Sequence, residues 1–80
     1  MMHPNDLLTL LRRRPFEPFR IVTSDGTVYE VNHPDLMLVG TRSAVIGYPS
    51  RDIPGAADRY DIVSLLQMIR VEQAGSPVEA

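Results

Sequence analysis

The chain has no cysteine, no lysine and no tryptophan. Without cysteine there is no disulfide staple, no thiolate metal site and no cysteine nucleophile. Its 5 glycines stand singly, so no glycine-rich loop enters a helix to cradle a phosphate. Two histidines, His3 and His33, do not make a metal site, and no cofactor is expected. No apolar run approaches the roughly 20 residues that cross a bilayer. The opening Met1-Met2-His3-Pro4-Asn5-Asp6 also lacks the basic start and apolar stretch of a secretory signal. These absences lead to the expectation of a cytoplasmic protein without membrane association.

What is present fits one small domain. Of 80 residues, 44% are hydrophobic, which is ordinary for a globular chain and too much for a disordered one. A domain of this size buries only about 60% of its unfolded surface. Its core is therefore thin, and a homo-oligomer is expected. Residues 1–73 are expected to form a single domain, with 74–80 a flexible tail. The net charge of −2 conceals an asymmetry: residues 1–20 carry four arginines against two acids, and residues 21–80 carry four against eight. With a pI near 5.5, the chain as a whole is a poor polyanion binder, and only its first 20 residues can offer a basic patch.

The clearest element is an N-terminal helix. Asn5 or Asp6 is expected to cap it after Pro4, and Pro15 forbids its continuation. At 100° per residue, Leu7, Leu8, Leu10 and Leu11 share an apolar arc of about 160°, with Thr9, Arg12 and Arg13 opposite. Arg14 falls inside that arc, where in a last turn it snorkels outward and complements the helix C-terminus. Pro15-Phe16-Glu17-Pro18 is an extended connector.

A hairpin follows, from Phe19 to Asn32. A two-residue Asp25-Gly26 loop would pair Val22 with Tyr29 and Arg20 with Val31, mixing polar and apolar on both faces. A three-residue loop with Gly26 left-handed instead pairs Phe19 with Val31, Ile21 with Tyr29 and Thr23 with Thr27 on one face. It sets Arg20 against Glu30 on the other, and this register is expected. Asn32-His33-Pro34-Asp35 reads as a turn, Leu36–Val39 as a buried strand, Ala44–Tyr48 as its partner, and residues 49–58 as a loop.

Residues 59–73 fit two patterns. As strand–turn–strand, Tyr60 and Ile62 point inward, Arg59 and Asp61 outward, a helical turn covers Ser64–Gln67, and a last strand buries Ile69 and Val71. As a helix over 62–74, Ile62, Leu65, Leu66 and Ile69 align, but Arg70 and Gln73 intrude on the apolar face. The first pattern is preferred.

Candidate chemistry is sparse. His33 with Asp35 is the arrangement of an oriented base, yet the same residues are what a solvated turn uses, and the turn is expected. Asp52, Asp58 and Asp61 are interleaved with Arg51 and Arg59, which suits a neutralised surface better than paired acid–base carboxylates. No enzyme is expected. Arg12-Arg13-Arg14 is either a patch for phosphate or an acidic partner, or the solvated end of a helix. Phe19, Tyr29, Tyr48 and Tyr60 are expected in the core.

Two resemblances enter on particular residues. The run Arg13–Tyr29, with Pro15-Phe16-Glu17-Pro18-Phe19-Arg20 and Ser24-Asp25-Gly26, resembles an uncharacterised family of small bacterial proteins. The stretches His33-Pro34-Asp35, Val45-Ile46-Gly47 and Arg59-Tyr60-Asp61-Ile62-Val63 are similar to it as well. That likeness implies no activity. A helix followed by Phe19-Arg20-Ile21-Val22-Thr23-Ser24-Asp25-Gly26-Thr27 and a meander ending in strand–turn–strand resembles the Sm-like RNA-binding barrels, with Ile69-Arg70 like part of their second motif. SH3-like barrels share similar topology and mostly bind protein.

The expectation is thus an α+β fold: an N-terminal helix, then a five- or six-stranded antiparallel, strongly bent sheet forming an Sm- or SH3-like small barrel. The expected function is a non-catalytic interaction module that binds an unidentified protein partner and self-associates. The alternative is an Sm-like RNA binder, with Arg12, Arg13 and Arg70 on phosphates and Tyr60 stacking. The candidate interaction residues are Arg12, Arg13, Arg14, Tyr60 and Arg70.

Overall fold

Pro4 decides where the first element starts. In the computed structural model, which describes residues 2–73, α1 spans Pro4–Leu11. Proline is favoured at the first helical position, where its missing N–H costs nothing. The residue before it, His3, is therefore the N-cap, and its side chain makes no capping bond. This corrects the expected cap at Asn5 or Asp6. Asn5 sits inside the first turn, where its carbonyl accepts a bond from the Thr9 hydroxyl at 2.8 Å. The helix ends at Leu11, with Arg12 as C-cap donating its backbone N–H to Leu8 at 3.0 Å. Arg13 and Arg14 lie beyond the last turn rather than in it, because Pro15 restricts the residues that lead into it. Leu7 and Leu11 are buried, while Leu8 and Leu10 are only half-buried.

The hairpin has the expected register. β1 (Phe19–Thr23) and β2 (Val28–Val31) pair Phe19 with Val31, Arg20 with Glu30, Ile21 with Tyr29 and Val22 with Val28. Gly26 takes φ +89°, a left-handed conformation that side chains disfavour. Asp25 accepts bonds from the Thr23 hydroxyl and the Thr27 N–H, which hold its carboxyl below the ordinary 3.8.

A 3-10 turn at Pro34–Leu36 leads from β2 into β3 (Met37–Val39), one residue shorter than expected. Then come β4 (Ser43–Pro49) and β5 (Ala57–Ser64). A second 3-10 turn, Leu65–Gln67, is capped by the Ser64 hydroxyl accepting the Leu66 N–H at 3.2 Å, and β6 (Met68–Gln73) follows. Residues 59–73 are therefore strand–turn–strand, not a helix. The strands are all antiparallel and form two three-stranded sheets, β2–β1–β6 and β3–β4–β5. Pro34, with no N–H to give a ladder, marks the break between β2 and β3. The chain is α+β, and the tail expected at 74–80 lies outside the described residues. Among those residues no helix is long and apolar enough to cross a membrane.

The core takes inward rows from both sheets. Phe19, Ile21, Val31 and Met68 come from one sheet, and Met37, Ala44, Ile46 and Val63 from the other, with Leu7 and Leu11 of α1 and Leu65 of the second turn. Three inward expectations fail together. Leu38, Tyr60 and Ile62 are 72%, 66% and 76% exposed. In β6 the buried residue is Met68, while Ile69 is exposed and Val71 half-buried. The reason is phase. Val63 lies across from Ala44, and Met37 across from Ile46, so Leu38, Ile62 and Tyr60 fall on the opposite side of the pleat.

Leu7 is fully buried although α1 is only 8 residues long. Leu7→Ala should lower unfolding free energy by about 2–5 kcal/mol, a large share of a small domain's stability. Urea denaturation checks it, and an unchanged midpoint would mean that α1 does not close the core.

Candidate functional site

The outer face of β3–β4–β5 is apolar across all three strands. Leu38 of β3 pairs with Val45 of β4, and Val45 pairs with Ile62 of β5, forming one transverse row. The next row sets Tyr60 opposite Gly47. Gly47 has no side chain to fill the space there: a Cβ would come within 3.1 Å of the Ala57 Cβ and 3.5 Å of Leu36. A groove of about 300 Å³ results, lined by Leu36, Leu38, Val45, Gly47, Ala57 and Tyr60, with Asp35 also on its wall. The inner face of the same sheet carries Met37, Ala44, Ile46 and Val63. A sheet apolar on both faces is the pattern of one covered on both sides.

On the inward side of β5, polar residues hold the strand in this phase. The Tyr48 hydroxyl donates to Asp61 Oδ2 at 2.6 Å, and the Arg59 guanidinium lies 4.2 Å from the centre of the Tyr48 ring. Asp61 is half-buried and has a partner, which lets a carboxylate face inward. The bond to Asp61, and after it burial, raises the Tyr48 phenol above 10.0. Burial, and after it the charge of Asp61, does the same to Tyr29.

The other sheet presents an outer face of different character. Arg20 stands across from Glu30 and Glu72, and its guanidinium approaches them at 4.0 and 3.6 Å. Arg70 pairs with Glu72 at 2.8 Å, and Arg13 with Glu17 at 2.9 Å. Glu17 also accepts from the Gln73 side chain at 2.8 Å, tying the arginine run to β6. Arg14 donates to the Arg13 carbonyl at 3.1 Å, and Arg12 is exposed at the helix end. Exposed pairs of this kind contribute about 0–1 kcal/mol each to stability. Their consequence is local neutralisation, which removes much of the pull on phosphate. Tyr60 is not with these arginines: it belongs to the opposite sheet, on the apolar face. Its expected core position is thereby corrected, while Phe19 is in the core and Tyr29 packs against it.

Leu38, Val45 and Ile62 were not among the residues expected to interact. A signal for them exists in the run Leu36–Val39: consecutive apolar residues in an antiparallel strand must put side chains on both faces. Among the described residues, no group of three or more histidine, aspartate or glutamate side chains is placed to hold a metal ion. No protein-family model matches the chain, and no curated protein or solved structure matches it either.

The raised tyrosines fix a pH dependence. A phenol whose folded pKa exceeds its unfolded value favours folding below that unfolded value. The contribution is lost as pH climbs past about 10 and through the folded value. Urea denaturation should therefore show stability falling above pH 10 in the wild type. Tyr48→Phe should cost about 1 kcal/mol at neutral pH through its lost bond and show a shallower alkaline fall. Equal alkaline slopes would mean that Tyr48 does not hold its proton on Asp61.

Proposed function

We propose that the protein is a non-catalytic interaction module that binds a protein partner through the outer face of β3–β4–β5, and that it associates with itself. The observation carrying this reading is the row Leu38–Val45–Ile62, with Leu38 and Ile62 exposed and Val45 half-buried between them, beside exposed Tyr60 on a sheet whose other face is already core. Contiguous exposed apolar side chains on a small protein mark interaction sites, and isolated ones do not. Burying one such side chain at an interface gains about 1.5–3 kcal/mol. The partner segment that fits has an aliphatic or aromatic anchor for the groove. It has basic flanks, because Asp35 lines the groove and Asp58 is exposed next to Ala57 at the start of β5.

The finer architecture belongs to the same proposal. The two sheets are read as halves of an Sm- or SH3-like small barrel, since β2 hands the chain to β3 and β5 hands it to β6 through short 3-10 turns. Within that class the protein-binding reading draws more support than the RNA-binding one. Arg13 and Arg70 are engaged by glutamates, and Tyr60 sits on the other sheet, away from them. A cytoplasmic location is part of this reading.

Selection of a random peptide library on the full chain tests it. Recovered peptides should carry an apolar anchor with basic flanks, and Leu38→Asp should weaken their binding at least tenfold. Peptides indifferent to Leu38→Asp, or a tight salt-steep RNA titration lost in Arg12→Ala with Arg13→Ala, would overturn the proposal.

A further inference from the structure

The free edge of β5 is the second notable feature of this sheet. Among the described residues β5 pairs with β4 alone, and at 8 residues it is the longest strand. The other sheet edges, β2, β3 and β6, have 4, 3 and 6 residues. A long open edge is a template for another strand unless something blunts it. The charges on β5 are what would repel an arbitrary strand, and they are complementary to β5 itself.

We infer that two copies of the chain pair their β5 strands antiparallel about a twofold axis at Tyr60, making one six-stranded sheet from two β3–β4–β5 sheets. The inference rests on the self-associating part of the reading above, and it is independent of what the apolar face binds. The register follows from side-chain phase and charge. Opposed residues in an antiparallel pair share a face, so only registers centred on a residue keep the apolar face continuous. Centred on Arg59, the strands oppose two arginines; centred on Asp61, two aspartates. Centred on Ile62, they set Asp61 against the apolar Val63. Centred on Tyr60, Arg59 of each copy faces Asp61 of the other, twice by symmetry, and the regular pairing is confined to the span beyond the irregularity at Asp58, where the β4–β5 register shifts. The two tyrosines then meet on the outer face.

Geometry favours the exchange. Arg59 and Asp61 share the inner face of one strand, both at Tyr48, and no ion pair joins them to each other among the described residues. Directly opposed Cβ atoms in an antiparallel pair lie about 4.5–5.5 Å apart, within reach of a guanidinium and a carboxylate. An interface made of one strand edge and its flanking side chains is small, so a dissociation constant on the order of micromolar is expected. The product is a dimer with two apolar grooves on one continuous face.

Sedimentation velocity on the full chain, from about 5 to 500 μM, spans the expected range. The wild type should dimerise. Arg59→Asp and Asp61→Arg should each weaken dimerisation at least tenfold. An equimolar mixture of the two variants should recover it, because both contacts again join opposite charges. A dimer undiminished in both single variants would overturn β5 pairing while leaving self-association intact. A wild type monomeric throughout would overturn both, leaving the peptide-binding result to stand or fall alone. If Asp61→Arg fails to fold by circular dichroism, Tyr60→Cys decides the matter. Its thiol is the only one in the chain, and on oxidation it should give covalent dimer well ahead of Ile62→Cys. Equal yields from the two would overturn the register.

Discussion

The hydrogen bond from Tyr48 to Asp61 sets which way β5 faces, and the outer surface of the protein follows from it. Side chains alternate along a strand, so with Asp61 and Arg59 inward, Tyr60 and Ile62 have only the outside. Slipping β5 by one residue would bury Tyr60 and Ile62 for a gain of about 1.5–3 kcal/mol each. It would also expel Val63 from the core and carry Ser64 inward, while the Tyr48 hydroxyl lost its acceptor. The loss of Val63 from the core and of the acceptor for the Tyr48 hydroxyl offsets that gain. The observed phase therefore wins within the single chain, and the apolar face it leaves outside is the surface available to a partner.

The two sheets divide the roles. The outer face of β2–β1–β6 is crossed by Arg20, Glu30, Arg70 and Glu72, whose opposite charges satisfy one another and keep that face hydrated. The outer face of β3–β4–β5 has apolar side chains and a groove floored by Gly47. A chain with so thin a core forgoes several apolar burials on one face. In the proposed function, docking to protein recovers them at the moment of association.

Most of the fold was legible in the sequence, and the candidate site was not. The three-residue loop at Gly26 could be chosen because only one register sorts polar from apolar residues across Phe19–Val31. The strand–turn–strand ending was legible for the same reason, since a helix over 62–74 would have put Arg70 and Gln73 on its apolar face. The cap at His3 was missed by weighing side-chain caps above the preference of Pro4 for the first helical position. The phase of β5 was missed because Tyr60 and Ile62 are more apolar than Arg59 and Asp61. Alternation alone then points the wrong way, and the partner that makes Asp61 tolerable inside, Tyr48, lies 13 residues away. The arginine run drew attention by its charge, while the pairing of Arg13 with Glu17 depends on the bend at Arg14-Pro15, which periodicity cannot show.

Amide hydrogen exchange at low and high protein concentration tests the central claim most directly, because it reads the β5 edge in the unaltered chain. Edge amides paired only in the dimer should exchange more slowly as concentration rises, within Ala57–Ser64 and not within β2 at Val28–Val31. Exchange in β5 that ignores concentration, or protection that appears along β2 instead, would contradict the assignment of this sheet as the surface through which the protein associates.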